Sequence, residues 1–187
     1  MAREYIVLVA GPMGAGKTTA ISALSEIPVV RTEAGNTDLQ RNAKATTTVA
    51  LDYGEISLGD GDKVRLYGVP GQDRFDFMWR ILEKRALGMM LLLDNDGPDP
   101  LSELERYLHS FEALGTRGAL VIGITRRDVG RGPAMDAYHV RLTQLGRVLP
   151  VFSVDARNAA QVRTMLGALI AMVEAKAAAA LPTGAPA

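Results

Sequence analysis

Residues 5–19, YIVLVAGPMGAGKTT, decide the fold. The run YIVLVAG is continuously apolar, rich in β-branched side chains and ended by glycine, the pattern of a strand buried on both faces in a parallel sheet. GPMGAGKT, residues 11–18, matches G-x-x-x-x-G-K-[ST], and the next stretch predicts a helix from Lys17 to about Glu26, before Pro28. A strand, a glycine-rich loop and a helix in that order make a phosphate cradle. Glycines let backbone N–H groups turn inward, and the helix start adds the positive end of its dipole. Lys17 can reach the β- and γ-phosphates of a nucleotide, and the Thr18 hydroxyl can bind Mg²⁺. Gly11, Met13, Gly14, Ala15, Gly16, Lys17, Thr18 and Thr19 are the expected phosphate-binding residues.

The rest of the chain alternates strands and helices. TVALDYGEISL and KVRLYGV read as two strands joined by GDGD at 59–62, a hairpin signal. Residues 30–48 are polar without a clear period and read as a loop. A helix over 73 to about 85 leads into GMMLLLD, a second buried strand. Leu101, Leu104, Leu108, Phe111 and Leu114 share one face of a helix over 99–114. ALVIGIT is a strand, residues from about 133 to 145 a helix, and LPVFSVD the last strand. Val162, Met165, Leu166, Leu169, Ile170 and Val173 mark a final amphipathic helix. The expectation is one α/β domain over residues 1–177 with a flexible tail over 178–187. It is a three-layer P-loop fold: a six-stranded, mostly parallel sheet with one antiparallel edge strand, and about five helices.

Composition narrows the function. The chain has 187 residues, 48% of them hydrophobic, which suits one packed domain. Net charge is zero, with 21 basic and 21 acidic residues, so the basic field that sequence-independent nucleic-acid binding needs is missing. There is no cysteine, which excludes disulfides, thiolate metal sites and a cysteine nucleophile. His109 and His139 lack ligand spacing with carboxylates. No apolar run approaches the ~20 residues of a membrane helix. No signal pattern opens the chain and no prenylation cysteine closes it. A cytoplasmic protein without a direct membrane anchor is expected, reaching a membrane only through a partner.

A phosphate loop serves kinases, ATPases and GTPases alike, so later motifs must decide. Their order over residues 4 to about 175 resembles the small Ras-like GTPase superfamily. Within it, the blocks TTTVALDYG, LYGVPGQDRFDFMW, GMMLLLD and VDARN resemble the bacterial branch of the gliding-motility GTPase MglA and the conservon-type (CvnD) GTPases. The resemblance implies a small GTP-binding protein, a molecular switch that binds GDP and GTP with Mg²⁺ and hydrolyses GTP slowly. It implies a metal set of Thr18 and Thr48, with Thr46 and Thr47 competing for the latter role. Gly71 would meet the γ-phosphate through its N–H, and Gln72 would orient the attacking water. Lys17, Thr48 and Gln72 form the implied catalytic set.

The guanine-reading motif of that superfamily corresponds to Thr125, Arg126, Arg127 and Asp128. The Asp128 carboxylate can accept both the ring N1–H and the exocyclic amine of guanine, a pair adenine does not offer. Arg126 can lay its stem and guanidinium over the base, and Thr125 stands where the family has asparagine. Asp155, Ala156 and Arg157 fit the last base-contacting loop, where the Ala156 N–H would meet the guanine O6.

Three departures stand out. Gly68 occupies a position where the wider family carries an acid that holds Mg²⁺ through water. Because the bacterial branch often lacks that acid, Gly68 reads as a branch feature. Asp52 and Asp94 are candidates to compensate, with a partner contact for Asp52 and a strand-end role for Asp94 as the stronger readings. Met13 occupies a loop position where a large side chain obstructs catalysis in Ras-type proteins. Arg31, Arg41 and Arg74 border the switches without identifying themselves as an internal arginine finger. DRFDFMWR, residues 73–80, gathers aromatic and Met side chains suited either to packing or to a partner surface. The bacterial resemblance implies a roadblock-fold (MglB-like) partner and, in conservon systems, a sensor-kinase-like membrane protein. The alternatives are a P-loop module that holds nucleotide without hydrolysing it and, behind it, a small P-loop kinase.

Overall fold

The computed structural model describes residues 3–34, 49–71 and 76–180. Its strands are β1 (Glu4–Ala10), β2 (Val30–Ala34), β3 (Val49–Ser57), β4 (Lys63–Gly68), β5 (Gly88–Asp94), β6 (Ala119–Thr125) and β7 (Val151–Ser153). They form one seven-stranded sheet in the order β2-β3-β4-β1-β5-β6-β7. The helices are α1 (Lys17–Leu24), α2 (Asp76–Arg85), α3 (Pro100–Ser110), α4 (Glu112–Arg117), α5 (Met135–Gln144) and α6 (Ala159–Ala180). This is the three-layer, mostly parallel P-loop-type α/β fold read from the sequence. Among the described strands, β3 runs against both its neighbours, and the other pairs are parallel.

β1, β5 and β6 are apolar except at their ends because both of their faces are covered. On one face Val7, Val9, Met90, Leu92 and Val121 pack with Ala20, Ile21 and Leu24 of α1 and with Val162, Met165, Leu166 and Leu169 of α6. On the other, Leu8, Ala10, Leu91, Leu93 and Ile122 meet Trp79, Leu104, Tyr107, Phe111 and Tyr138. Each such aliphatic side chain contributes roughly 1.5–3 kcal/mol through burial.

Two elements differ from the sequence reading. Residues 30–34, expected in a loop, form the edge strand β2, so antiparallel β3 lies inside the sheet. VRTEA is too short and polar to show a buried pattern, and an edge strand needs pairing on one side only. The helix expected over 99–114 is two helices, broken at Phe111 (φ −113°, ψ 31°). Leu104, Leu108, Phe111 and Leu114 are buried on both sides of the break, which is why their spacing conceals it.

α1 lies close over β3 and β4. Cβ atoms added at Gly54 and Gly68 would come within 2.8 Å and 3.0 Å of Ile21. Ser25, just past the end of α1, accepts a hydrogen bond from the Glu55 N–H at 3.1 Å. The helix that follows the glycine-rich loop is thereby fixed against the antiparallel part of the sheet.

The C-terminal ends of β1, β4, β5, β6 and β7 open on one edge of the domain. β1 is flanked by β4 on one side and β5 on the other. The chain reverses its direction of strand addition here, the place where open α/β sheets bind ligands.

Candidate functional site

Residues 11–16 leave β1 and turn back into α1. Gly11, Gly14 and Gly16 have φ of 144°, 84° and 95°, a backbone path that only glycine follows without strain. A Cβ at Gly11 would stand 2.0 Å from the Leu92 carbonyl oxygen. No side chain caps the start of α1, so its first N–H groups are left for a ligand. Lys17 arches over the loop, its Nζ donating to the carbonyls of Gly11 and Pro12 at 2.7 Å each. Burial lowers its pKa to about 8, while the charge of Asp52 opposes the shift. A desolvated ammonium of this kind gains from a phosphate oxygen within reach. Ala15 is buried beneath the loop, and Met13 at its tip is 75% exposed.

Gly71 lies directly against this loop. A Cβ there would be 2.7 Å from the Gly11 carbonyl oxygen and 2.9 Å from the Met13 nitrogen. The preceding carbonyl, of Pro70, accepts a hydrogen bond from the Trp79 indole at 3.1 Å. Trp79 is buried in a stack, its ring 5.5 Å from Tyr107 and 5.2 Å from Phe111. Of the aromatic segment 73–80, Trp79 is therefore core. The second half of the cradle hangs on it through one hydrogen bond.

On the β3 side, the Thr18 hydroxyl donates to the Asp52 carboxylate. Asp52, read from sequence as a partner contact, thus faces the start of α1. Among the described residues no three His, Cys, Asp or Glu gather closely enough to hold a metal ion. Mg²⁺ takes one or two protein oxygens together with nucleotide phosphates and water. Thr18 and Asp52 are hard oxygen donors beside the loop, so the residues present fit Mg²⁺.

Beyond the loop lies a pocket of about 620 Å³. Gly14, Ala15, Gly16 and Thr19 form its phosphate end, and Thr125, Arg126, Asp128, Asp155, Ala156 and Arg157 line the rest. The sequence-predicted base readers from two separate segments thus meet in one cavity with the loop. Thr125 is 4% exposed, and its hydroxyl bridges the carbonyls of Ala15 and Leu93, both at 3.2 Å, tying β6 to the loop. Arg126 takes a left-handed backbone (φ 53°). Its guanidinium pairs with Asp94 at 2.8 Å and donates to the Gly14 carbonyl at 3.2 Å. Both contacts fix it in the lining of the pocket. Asp94 also accepts the Asp96 N–H at 3.0 Å, in keeping with its strand-end role. Asp128 sits on a short turn over Arg127–Val129. Ala156 is buried against Gly16, where an added Cβ would be 2.9 Å from its own. Arg157 holds the Asp155 carboxyl at a pKa of about 2 through its hydrogen bonds and charge.

Two expected site residues, Thr48 and Gln72, lie outside the described residues, as do Thr46, Thr47, Arg41, Arg74 and the side chain of Arg31. Sequence reading did not single out Gln161, whose amide oxygen accepts the Asp155 N–H at 2.7 Å and whose side chain lines the pocket. Its place in the first turn after VDARN was the available signal. Among the described residues no helix is long and apolar enough to cross a membrane.

Two relatives are similar to this chain in sequence. Intraflagellar transport protein 22 of Chlamydomonas reinhardtii is 30% identical over 132 residues, 67% of this chain and 64% of that protein. An uncharacterized protein of Methanocaldococcus jannaschii is 33% identical over 91 residues, 49% of this chain and 51% of that protein. The chain thus spans less than two thirds of either relative. No protein-family profile matches it. These findings overturn the resemblance to the MglA and conservon branch. The similarity found runs to intraflagellar transport protein 22 of a eukaryote, and nothing points to the bacterial branch. Two of the blocks that suggested it have a structural account. GMMLLLD is a strand covered on both faces, and VDARN is the turn that brings Ala156 under Gly16. Gly68 can no longer be read as a branch feature. The similarity supports a small GTP-binding protein in general terms.

Proposed function

We propose that this protein is a small GTP-binding switch that holds GDP or GTP with Mg²⁺ and hydrolyses GTP slowly. The observation that carries the reading is the convergence of a cationic phosphate loop and a base-sized cavity holding Asp128 and the Ala156 turn. Similarity to intraflagellar transport protein 22 supports it over the part of each chain that aligns.

In this reading the loop N–H groups and Lys17 bind the β- and γ-phosphates. Asp128 accepts from the guanine edge while Arg126 covers its face. Mg²⁺, when bound, neutralises charge on the phosphates, with Thr18 and Thr48 as its protein ligands. Gly71 touches the loop, so a γ-phosphate arriving there would press on the segment that Trp79 anchors. Output is a change of partner affinity at residues 30–48 and 68–80. The roadblock-fold and sensor-kinase-like partners rested on the bacterial resemblance and are not carried into this reading.

The test is multiple-turnover phosphate release from GTP in Mg²⁺. Release that disappears in Gln72→Ala and Lys17→Ala supports the reading. A second reading, a module that binds nucleotide without turnover, is favoured by the exposed Met13 at the loop tip and by Gly68. Tight GDP binding with no phosphate release would select it.

A further inference from the structure

Gly68 and Asp52 are opposite residues of the β4–β3 ladder. A Cβ at position 68 would stand 3.0 Å from the Asp52 Cβ, 3.4 Å from its Oδ2 and 3.0 Å from the Ile21 Cδ1. A side chain at 68 would therefore crowd the Asp52 side chain and α1, which would have to give by a few tenths of an ångström. That carboxylate accepts the Thr18 hydroxyl proton.

From this we infer that Asp52 is the acidic positioning residue of the magnesium site, presented from β3 at the place across the ladder from Gly68. The inference rests on the proposed nucleotide reading. A hydroxyl has one proton and two acceptor lone pairs. With its proton given to Asp52, Thr18 presents oxygen lone pairs to a cation beside the phosphate loop. The carboxylate supplies negative charge next to that cation and an acceptor for its bound water. Groups one shell out orient the ligand and raise its donor strength, and their loss costs about 10- to 100-fold in metal affinity. The arrangement also accounts for Gly68 without appeal to ancestry. α1 packs so closely over β4 that a side chain at 68 would crowd the end of Ile21.

The test uses the full chain loaded with fluorescently labelled GDP. Free Mg²⁺ is varied with a chelator buffer, and the midpoint at which nucleotide dissociation slows is read for wild type and Asp52→Asn. The expected result is a midpoint displaced to about 10- to 100-fold higher Mg²⁺ in the variant. In chelator alone the variant should bind at least as tightly as wild type, because a negative charge near the phosphates has been removed. A wild-type midpoint in Asp52→Asn overturns the inference, since the amide keeps the shape and an acceptor for Thr18 and lacks only the charge. If Asp52→Asn misfolds, Asp52→Ser gives the same two outcomes. A wild-type protein that retains no guanine nucleotide in Mg²⁺ overturns the underlying reading and the inference with it.

Discussion

The phosphate end and the base end of the site are built by opposite means. The phosphate end is mostly backbone: three glycines at positive φ, the start of α1, and one lysine folded over loop carbonyls. The base end is mostly side chains, held by ion pairs and bridges between segments, such as Arg126 to Asp94 and Thr125 to the Ala15 carbonyl. Backbone sites are rigid and tolerate almost no substitution. Side-chain sites can change residue by residue while keeping their outline. Threonine can therefore stand in the base motif at 125, whereas the loop keeps every glycine of its pattern.

The contrast predicts where substitutions hurt. Gly11→Ala should have the largest effect, destabilising the fold by about 3–5 kcal/mol in urea unfolding, because its Cβ meets the Leu92 carbonyl at a φ alanine avoids. A loss below about 1 kcal/mol would mean that the loop relaxes easily and that the contrast is overstated. Asp128→Ala should leave the fold intact and weaken GDP binding on the order of 100-fold, through the loss of hydrogen bonds to a charged acceptor. ADP binding should stay as it was, which separates base reading from phosphate binding.

A smaller effect should come from pH. Lys17 in the free protein has a pKa of about 8, below its ordinary value. Phosphates favour its charged form, so binding takes up a proton once pH exceeds about 8. Nucleotide affinity should be level below that pH and fall above it, by up to about tenfold per unit. Calorimetry in buffers of different ionisation enthalpy would detect the proton. A flat profile between pH 7 and 9.5 would show that Lys17 is not the group facing the phosphates. The smallest effect belongs to Arg157→Ala. Its pair with Asp155 is exposed, and exposed pairs add little. The thermal midpoint should not move measurably.

Legibility in the sequence divides along the same line. β1, β5 and β6 are unmistakable because strands covered on both faces carry continuous apolar runs, and the phosphate loop because its backbone path demands glycine at fixed spacing. The edge strand β2 escaped notice, since VRTEA carries no burial signal of its own. The break at Phe111 was hidden because apolar spacing runs through it. Asp52 was legible as an acid near the site, but its partner was not. Its meaning depends on the ladder register that sets it opposite Gly68 and on the close approach of α1. Both are long-range facts that no local pattern encodes. GMMLLLD and VDARN, taken for the bacterial branch, are the reverse case, local patterns with a packing role in this fold.

The central claim is that the pocket joining Asp128 to the phosphate loop reads guanine. The direct measurement is titration of the nucleotide-free protein with GDP and then with ADP, both in Mg²⁺. Trp79 fluorescence serves as one signal, because its indole bonds the residue next to Gly71, and a labelled nucleotide serves as the other. The account predicts saturable binding of GDP and little of ADP. Equal affinity for the two would contradict it and leave a phosphate-binding domain without a guanine reader.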